Sequence, residues 1–267
     1  MKQIPNLFTL LNLVFGCVAI VLILQTNQSL VLLNEESGTY DPLFPELMAW
    51  GSLFIFLAAV VDFIDGFLAR ALHSSSDMGK QLDSLSDVVS FGVAPGMILY
   101  QLLRLGFAQQ ENGLDVSFIA LLPAFIFSAA VALRLAKFNV STSQSDSFIG
   151  VPSPAAGLVI ASFPLIIWYQ TFNLQRFFIN VWLLYGVIVI LSFLMLSKKR
   201  FLAMKFKDYS WRNNVSKYLL ILLSVLCIAL LKWFAIPVIF VLYVLFSLFT
   251  KMPMVTKDEH PTLDVTV

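Results

Sequence analysis

Between residues 7 and 250 the chain is a succession of apolar runs long enough to cross a bilayer, broken by short polar connections. Runs of this length and composition argue for membrane-spanning helices. Eight spans are expected, at residues 7–25, 47–69, 85–105, 116–138, 154–172, 178–196, 218–231 and 234–250. The last two are separated only by Lys232 and Trp233 and also read as one broken hairpin, with Pro237 near the start of its second arm. Charged residues make up 12% of the chain, against about 25% in a soluble domain, and the mean hydropathy is +0.86. No Gly/Ser-rich linker divides the sequence. The expected architecture is an all-α, polytopic membrane bundle: one domain over residues 1–250, then a short cytoplasmic tail at 251–267.

The basic residues orient the spans. With the N-terminus inside, all of the 17 Lys and Arg residues except Arg104, Arg176 and Lys232 fall on cytoplasmic segments, as the positive-inside rule requires. The first outer connection, residues 26–46, has no Lys or Arg and carries Glu35, Glu36, Asp41 and Glu46. The basic, aromatic stretch 198–217 is expected on the anionic inner leaflet, either as a lipid contact or simply as a topogenic loop. Cys17 and Cys227 both fall within spans, so no disulfide framework is implied. With only His73 and His260 as histidines, no Cys/His cluster for zinc is present in the sequence. No dinucleotide fingerprint, P-loop or nucleic-acid module occurs.

Against this apolar background, four aspartates stand at helical spacing. They read Asp62-x-x-Asp65-Gly66-x-x-Ala69-Arg70, then eight residues, then Gly79-x-x-x-Asp83-x-x-x-Asp87. Asp62 and Asp65 lie one turn apart on one helix, and Asp83 and Asp87 do so on the next segment. Two such helices facing each other place four carboxylates in one pocket. Carboxylates at a membrane must be paired, solvated or bound; hard divalent cations would relieve their mutual repulsion. Gly66, Ala69 and Gly79 let a bulky phosphate or nucleotide approach the backbone. The charge bias puts this motif at the cytoplasmic surface.

The spacing resembles the signature of the CDP-alcohol phosphatidyltransferases, D-x2-D-G-x2-A-R-x8-G-x3-D-x3-D, with no departure at any fixed position. The resemblance implies a transferase of phospholipid biosynthesis that acts on a CDP-linked lipid. It implies two divalent cations, Mg2+ or Mn2+, held by Asp62, Asp65, Asp83 and Asp87. It further implies a CMP pocket lined by Gly66, Ala69, Arg70 and Gly79, with Asn6 and Thr9 of the first helix closing it, and Asp87 as general base toward the acceptor alcohol. A homodimer is also compatible with the resemblance.

The flanks bear on the acceptor. The N-terminal segment Ile4-Pro5-Asn6-Leu7-Phe8-Thr9-Leu10-Leu11-Asn12 looks like the first helix of the bacterial and archaeal serine-using members of that family, which places the chain in a prokaryotic inner (cytoplasmic) membrane. Glycerol-phosphate-using members would have an arginine where Asn12 stands. Residues 84–95, 134–139 and 148–156 are similar to the serine-using branch as well, through the first five spans; Lys137 stands where arginine is usual, which keeps the charge but loses the planar fork. Serine needs a cation for its carboxylate, and Arg134 and Lys137, with Asn139 beside them, are the candidates; the alternative is ordinary flanking charge. The polar loop 141–147 could close over the acceptor. The expected partners are therefore CDP-diacylglycerol, L-serine and membrane lipids, and no nucleic acid. Glycerol 3-phosphate, inositol phosphate and choline stay open as acceptors. A transporter is the reading from another class, but it would more often show repeated, interrupted helices in both halves, and no second Asp cluster occurs.

Overall fold

The computed structural model describes residues 4–25, 31–34, 39–42, 44–72, 76–110, 116–140, 148–201 and 211–249. The tail at 251–267, the loop 141–147, His73 and the centre of the basic stretch (202–210) lie outside the described residues. α1 (Ile4–Leu24) packs along α2 (Glu46–Ala71). Between them β1 (Val31–Asn34) and β2 (Thr39–Pro42) form a short antiparallel ladder.

The next helix is continuous from Asp77 to Ala108 but changes pitch on the way. α3 (Asp77–Asp87) opens on Ser76, whose hydroxyl accepts from the Gly79 N–H at 3.0 Å, with Asp77 in the first turn. A π-helical turn, Val88–Val93, then leads into α4 (Ala94–Ala108). Pro95 explains the wide turn. It has no N–H to give the Phe91 carbonyl, and its ring would crowd that oxygen in regular α geometry. The Ala94 N–H reaches back to Val89 instead. The carbonyls loosened here find other company: Ser128 Oγ donates to the Gly92 carbonyl at 2.8 Å. Gly157 brings a neighbouring helix so near that a Cβ there would stand 2.9 Å from the Phe91 oxygen. On the other side Gly16 of α1 meets Ser90 of the π turn, where a Cβ would collide with the serine hydroxyl.

The rest of the chain is α5 (Phe118–Leu121), α6 (Ala124–Val140), β3 (Phe148–Ile149), α7 (Ser153–Trp168), α8 (Gln175–Phe178), α9 (Val181–Leu196), β4 (Arg200–Phe201), α10 (Trp211–Leu231) and α11 (Ala235–Phe249). Each of the eight expected spans contains a helix, and the fold is an all-α polytopic bundle with two small ladders. The boundaries move for local reasons. The expected span 116–138 breaks at Leu122–Pro123, because Pro123 cannot continue the ladder of α5. α7 stops at Trp168, just before the left-handed Gln170. The expected start at Phe178 gives way to Asn180, whose side chain caps α9 by accepting from the Leu183 N–H at 3.1 Å. α10 and α11 pack on each other across a tight turn at Lys232–Phe234, where Lys232 has φ 51.

Among the described residues, four stretches are long and apolar enough by themselves to cross a membrane: Pro5–Leu24, Glu46–Ala71, Asp77–Ala108 and Asn214–Leu248, the last comprising both arms of the hairpin. Ser153–Trp168 and Val181–Leu196 are shorter apolar helices. α4 and α7 fill the centre, with Ile98, Leu99, Leu102, Ile160, Ala161 and Leu165 fully buried. Trp182, Val189, Phe193, Leu222 and Val225 of α9 and α10 stay exposed, as side chains facing lipid do.

Candidate active site

α2 and α3 bring the two halves of the Asp motif together. One carboxylate oxygen each from Asp62, Asp83 and Asp87 lies within 4.8 Å of the other two. Asp65 stands to one side of this trio. Residues three apart on a helix differ by about 60° in direction, so while Asp62 looks toward α3, Asp65 turns toward α1 and lies beside Thr9. Asp65 is 4% exposed, and its Oδ2 is buried with no hydrogen-bond partner.

α1 supplies the third wall. Ser86 Oγ donates to the Thr9 carbonyl at 3.1 Å, and Ser90 Oγ to the Asn12 carbonyl at 3.0 Å, which sews α1 to the Asp-bearing helix. Asn12 Nδ2 then points at Asp87 Oδ1, 3.5 Å away. Asn6 faces Gly79 across the same contact: a Cβ on Gly79 would stand 3.2 Å from Asn6 Oδ1. Gly66 borders open space, with nothing within 4 Å of its Cβ position. Ala69 is half-buried one turn further on, and the exposed Arg70 folds back so that its Nε donates to the Gly66 carbonyl at 2.8 Å.

These atoms fit a divalent cation. Three carboxylates converge, and two further buried acceptors, Asp65 Oδ2 and Asn12 Oδ1, have no donor among the described residues. Buried polar oxygens are rarely left so, and an all-oxygen donor set suits a hard cation.

Of the basic candidates, the structure separates Arg134 from Lys137. Arg134 on α6 points inward: Nη1 donates to Ser153 Oγ at 3.2 Å, Nε is buried without a hydrogen-bond partner, and Asp87 is an electrostatic neighbour. Lys137 is exposed and lines a shallow groove with Leu133, Ala136 and Val140 on the outer face of α6. Asn139 Nδ2 donates to Ser84 Oγ at 2.8 Å, tying the end of α6 to α3. Sequence reasoning weighed Asn12 only as a mark of the acceptor and did not single out Ser86, Ser90 or Ser153 as contacts. The first three left a signal: Asn12 continues the spacing of Asn6 and Thr9, and Ser86 and Ser90 flank Asp87 one turn apart.

Comparison with known proteins agrees with this geometry. The family model for CDP-alcohol phosphatidyltransferase matches residues 2–194. That reaches α9, one span beyond the last motif recognised in the sequence. The chain is 36% identical over 185 residues to the CDP-diacylglycerol–serine O-phosphatidyltransferase of Bacillus subtilis, covering 67% of this chain and 88% of that one. It is 33% identical over 203 residues to the enzyme of the same name from Helicobacter pylori J99, covering 74% and 78%. A third relative is the archaetidylserine synthase of Methanothermobacter thermautotrophicus, 35% identical over 151 residues, covering 53% and 58%. With the Asp constellation intact and nearly three-quarters of its length matched, this chain belongs to the CDP-alcohol phosphatidyltransferase family.

Proposed function

We propose that this protein transfers the phosphatidyl group of CDP-diacylglycerol to the hydroxyl of L-serine, giving phosphatidylserine and CMP. The observation that carries the reading is the carboxylate trio with an inward-pointing, half-buried and incompletely bonded guanidinium, Arg134, as electrostatic neighbour of Asp87. The names of the relatives above support serine as the acceptor. Asp62, Asp65, Asp83 and Asp87 hold divalent cations, Mg2+ or Mn2+ and two in number, which when bound neutralise charge on the pyrophosphate and the departing CMP. Asn6, Thr9, Gly66, Ala69, Arg70 and Gly79 line the nucleotide end, where the open face of Gly66 admits phosphate close to the backbone.

Asp87 takes the proton of the serine hydroxyl. The Asn12 amide faces one of its oxygens at 3.5 Å. The serine oxygen then bonds to the lipid-side phosphorus as the bond to CMP breaks. Arg134 binds the serine carboxylate, Lys137 a lipid phosphate at the groove mouth, and Asn139 holds α6 against the Asp helix. The distribution of Lys and Arg favours the cytoplasmic side for this site, and the resemblance to bacterial and archaeal members favours a prokaryotic inner membrane.

The test is CMP release from CDP-diacylglycerol by the purified protein with Mg2+ or Mn2+. Serine, glycerol 3-phosphate, inositol phosphate and choline are compared and the lipid product is identified. Release with serine and formation of phosphatidylserine are expected. Release with another acceptor alone would refute the serine assignment and leave the Asp-site chemistry standing. In the same assay Arg134→Ala should raise the KM for serine about 10- to 100-fold, the worth of a charged hydrogen bond of about 1.5–3 kcal/mol, with a smaller change in kcat. An unaltered serine dependence would return Arg134 to a flanking charge.

A further inference from the structure

Arg134 is the basic side chain that α6 turns into the site. A guanidinium on a long, flexible stem keeps one direction only where something holds it. Among the described residues its one hydrogen bond runs from Nη1 to Ser153 Oγ, 3.2 Å long, and Nε is buried without a partner. The aim of the charge therefore depends on where Ser153 stands.

Ser153 stands in a fixed place. It is fully buried and is the first residue of α7. Pro152 before it is extended, at φ −59 and ψ 137, and Pro154 after it brings its own fixed φ. The Ala156 N–H closes the first turn on the Pro152 carbonyl at 3.2 Å. The approach to that turn is pinned as well. β3 pairs antiparallel with β4, Phe148 opposite Phe201 and Ile149 opposite Arg200. The Gly150 N–H then donates to the Lys199 carbonyl at 2.9 Å, and the Val151 N–H to the Leu194 carbonyl at 3.2 Å. Gly150 has φ 73, and a Cβ there would run into the Met195 carbonyl, so this crossing needs glycine.

The next turn of α7 ties the serine to the other half of the site. Ser153 and Gly157 are four residues apart and share a face of the helix. Gly157 rests on Phe91 of the π turn, which continues directly from Asp87. One face of α7 thus holds the arginine of α6 at one level and abuts the Asp87-bearing helix at the next. That face sets the separation between the base and the cation meant for the acceptor.

We infer that Ser153 is a positioning residue for Arg134: its hydroxyl, held at the buried start of α7, keeps the guanidinium aimed at the acceptor carboxylate. This rests on the serine-transferase reading above. Ser153 does not touch the reacting atoms. The first turn of α7 is then a determinant of acceptor affinity as well as a part of the core.

The experiment is steady-state kinetics of Ser153→Ala in the full-length, metal-loaded protein, beside the wild type and in an Arg134→Ala background. Ser153→Ala should raise the KM for serine about 3- to 10-fold, the size of one net hydrogen bond. The kcat and the KM for CDP-diacylglycerol should stay within about twofold of wild type. In the Arg134→Ala background the substitution should add nothing. Ser153→Thr keeps the hydroxyl and should bring the serine KM back to within about twofold of wild type. An unchanged serine KM in Ser153→Ala overturns the inference. So does a fall in kcat or a rise of both KM values together, a full additional effect without Arg134, or a threonine variant as impaired as the alanine one. Should Ser153→Ala fail to fold, Ser153→Cys decides on the same criteria, because it nearly keeps the size and leaves only a weak sulfur acceptor. Wild-type protein that releases no CMP with serine refutes the acceptor assignment and takes the inference with it. Wild-type activity with a superimposable Ser153→Ala curve refutes the positioning role only.

Discussion

Asp87→Asn is expected to lower serine-dependent CMP release by about a thousandfold or more, with CDP-diacylglycerol binding reduced far less. A carboxamide has nearly the shape of a carboxylate but cannot take a proton at neutral pH. A positioned base contributes about 10²- to 10⁴-fold to a proton transfer, and loss of one cation ligand adds to that. The shape match matters here because Asp87 sits in a tight place, 7% exposed, with Asn12 Nδ2 at 3.5 Å and Ser86 beside it bonded to the Thr9 carbonyl. The asparagine oxygen can still accept from Asn12, so the α1 contact survives. Turnover and equilibrium binding of CDP-diacylglycerol are measured on the same detergent-solubilised sample. Turnover within tenfold of wild type in folded protein would remove Asp87 as the base.

Asp62→Asn should have opposite effects on the metal-free fold and on activity. Like charges 4.8 Å apart or closer repel by about 3 kcal/mol or more per pair at an effective dielectric constant near 20. Asp62 lies within that limit of both Asp83 and Asp87. With the divalent cation chelated away, neutralising Asp62 should raise the thermal midpoint, by about 2–4 °C for each kcal/mol of repulsion relieved. The wild type should gain stability when Mg2+ or Mn2+ is returned, because a cation that binds only the folded state stabilises it by mass action. The variant should gain little, and its transferase activity should be lost. The measurement is a pair of melting curves per protein, with chelator and with cation. A variant that gains as much from the cation as the wild type does would show that the ion binds elsewhere.

Much of this site was legible because its chemistry is local in sequence. Asp62 with Asp65, and Asp83 with Asp87, are each one helical turn apart, so spacing alone puts each pair near one direction. What spacing could not say is that the 60° between Asp62 and Asp65 suffices to send one to α3 and the other to α1. Asn6 and Thr9 were readable as a polar stripe that needed a partner. Ser86 and Ser90 were less so: they flank Asp87 one turn apart, but a hydroxyl that bonds a carbonyl across a helix contact has a partner that spacing does not name. The eight apolar spans were found as hydrophobicity, but their ends were set by particular residues: Pro123, Gln170, Asn180 and Lys232. Lys137 and Arg134 look equivalent in sequence, and only the packing of α6 sends one inward and the other to the outer groove.

The π turn at Val88–Val93 also bears on how the acidic and apolar ends of one helix are indexed. In a regular α-helix each residue adds 1.5 Å of rise and about 100° of rotation, and a π turn amounts to one residue inserted into that count. The segment from Ala94 onward is keyed to the membrane core by its buried leucines, while the segment up to Asp87 is keyed to α1 and α2. The wide turn lets the two ends satisfy different neighbours. Deleting a single apolar residue such as Val89 would shorten that count by one and swing Asp83 and Asp87 by about 100° relative to the anchored half, dispersing the carboxylate trio with every aspartate still in the chain.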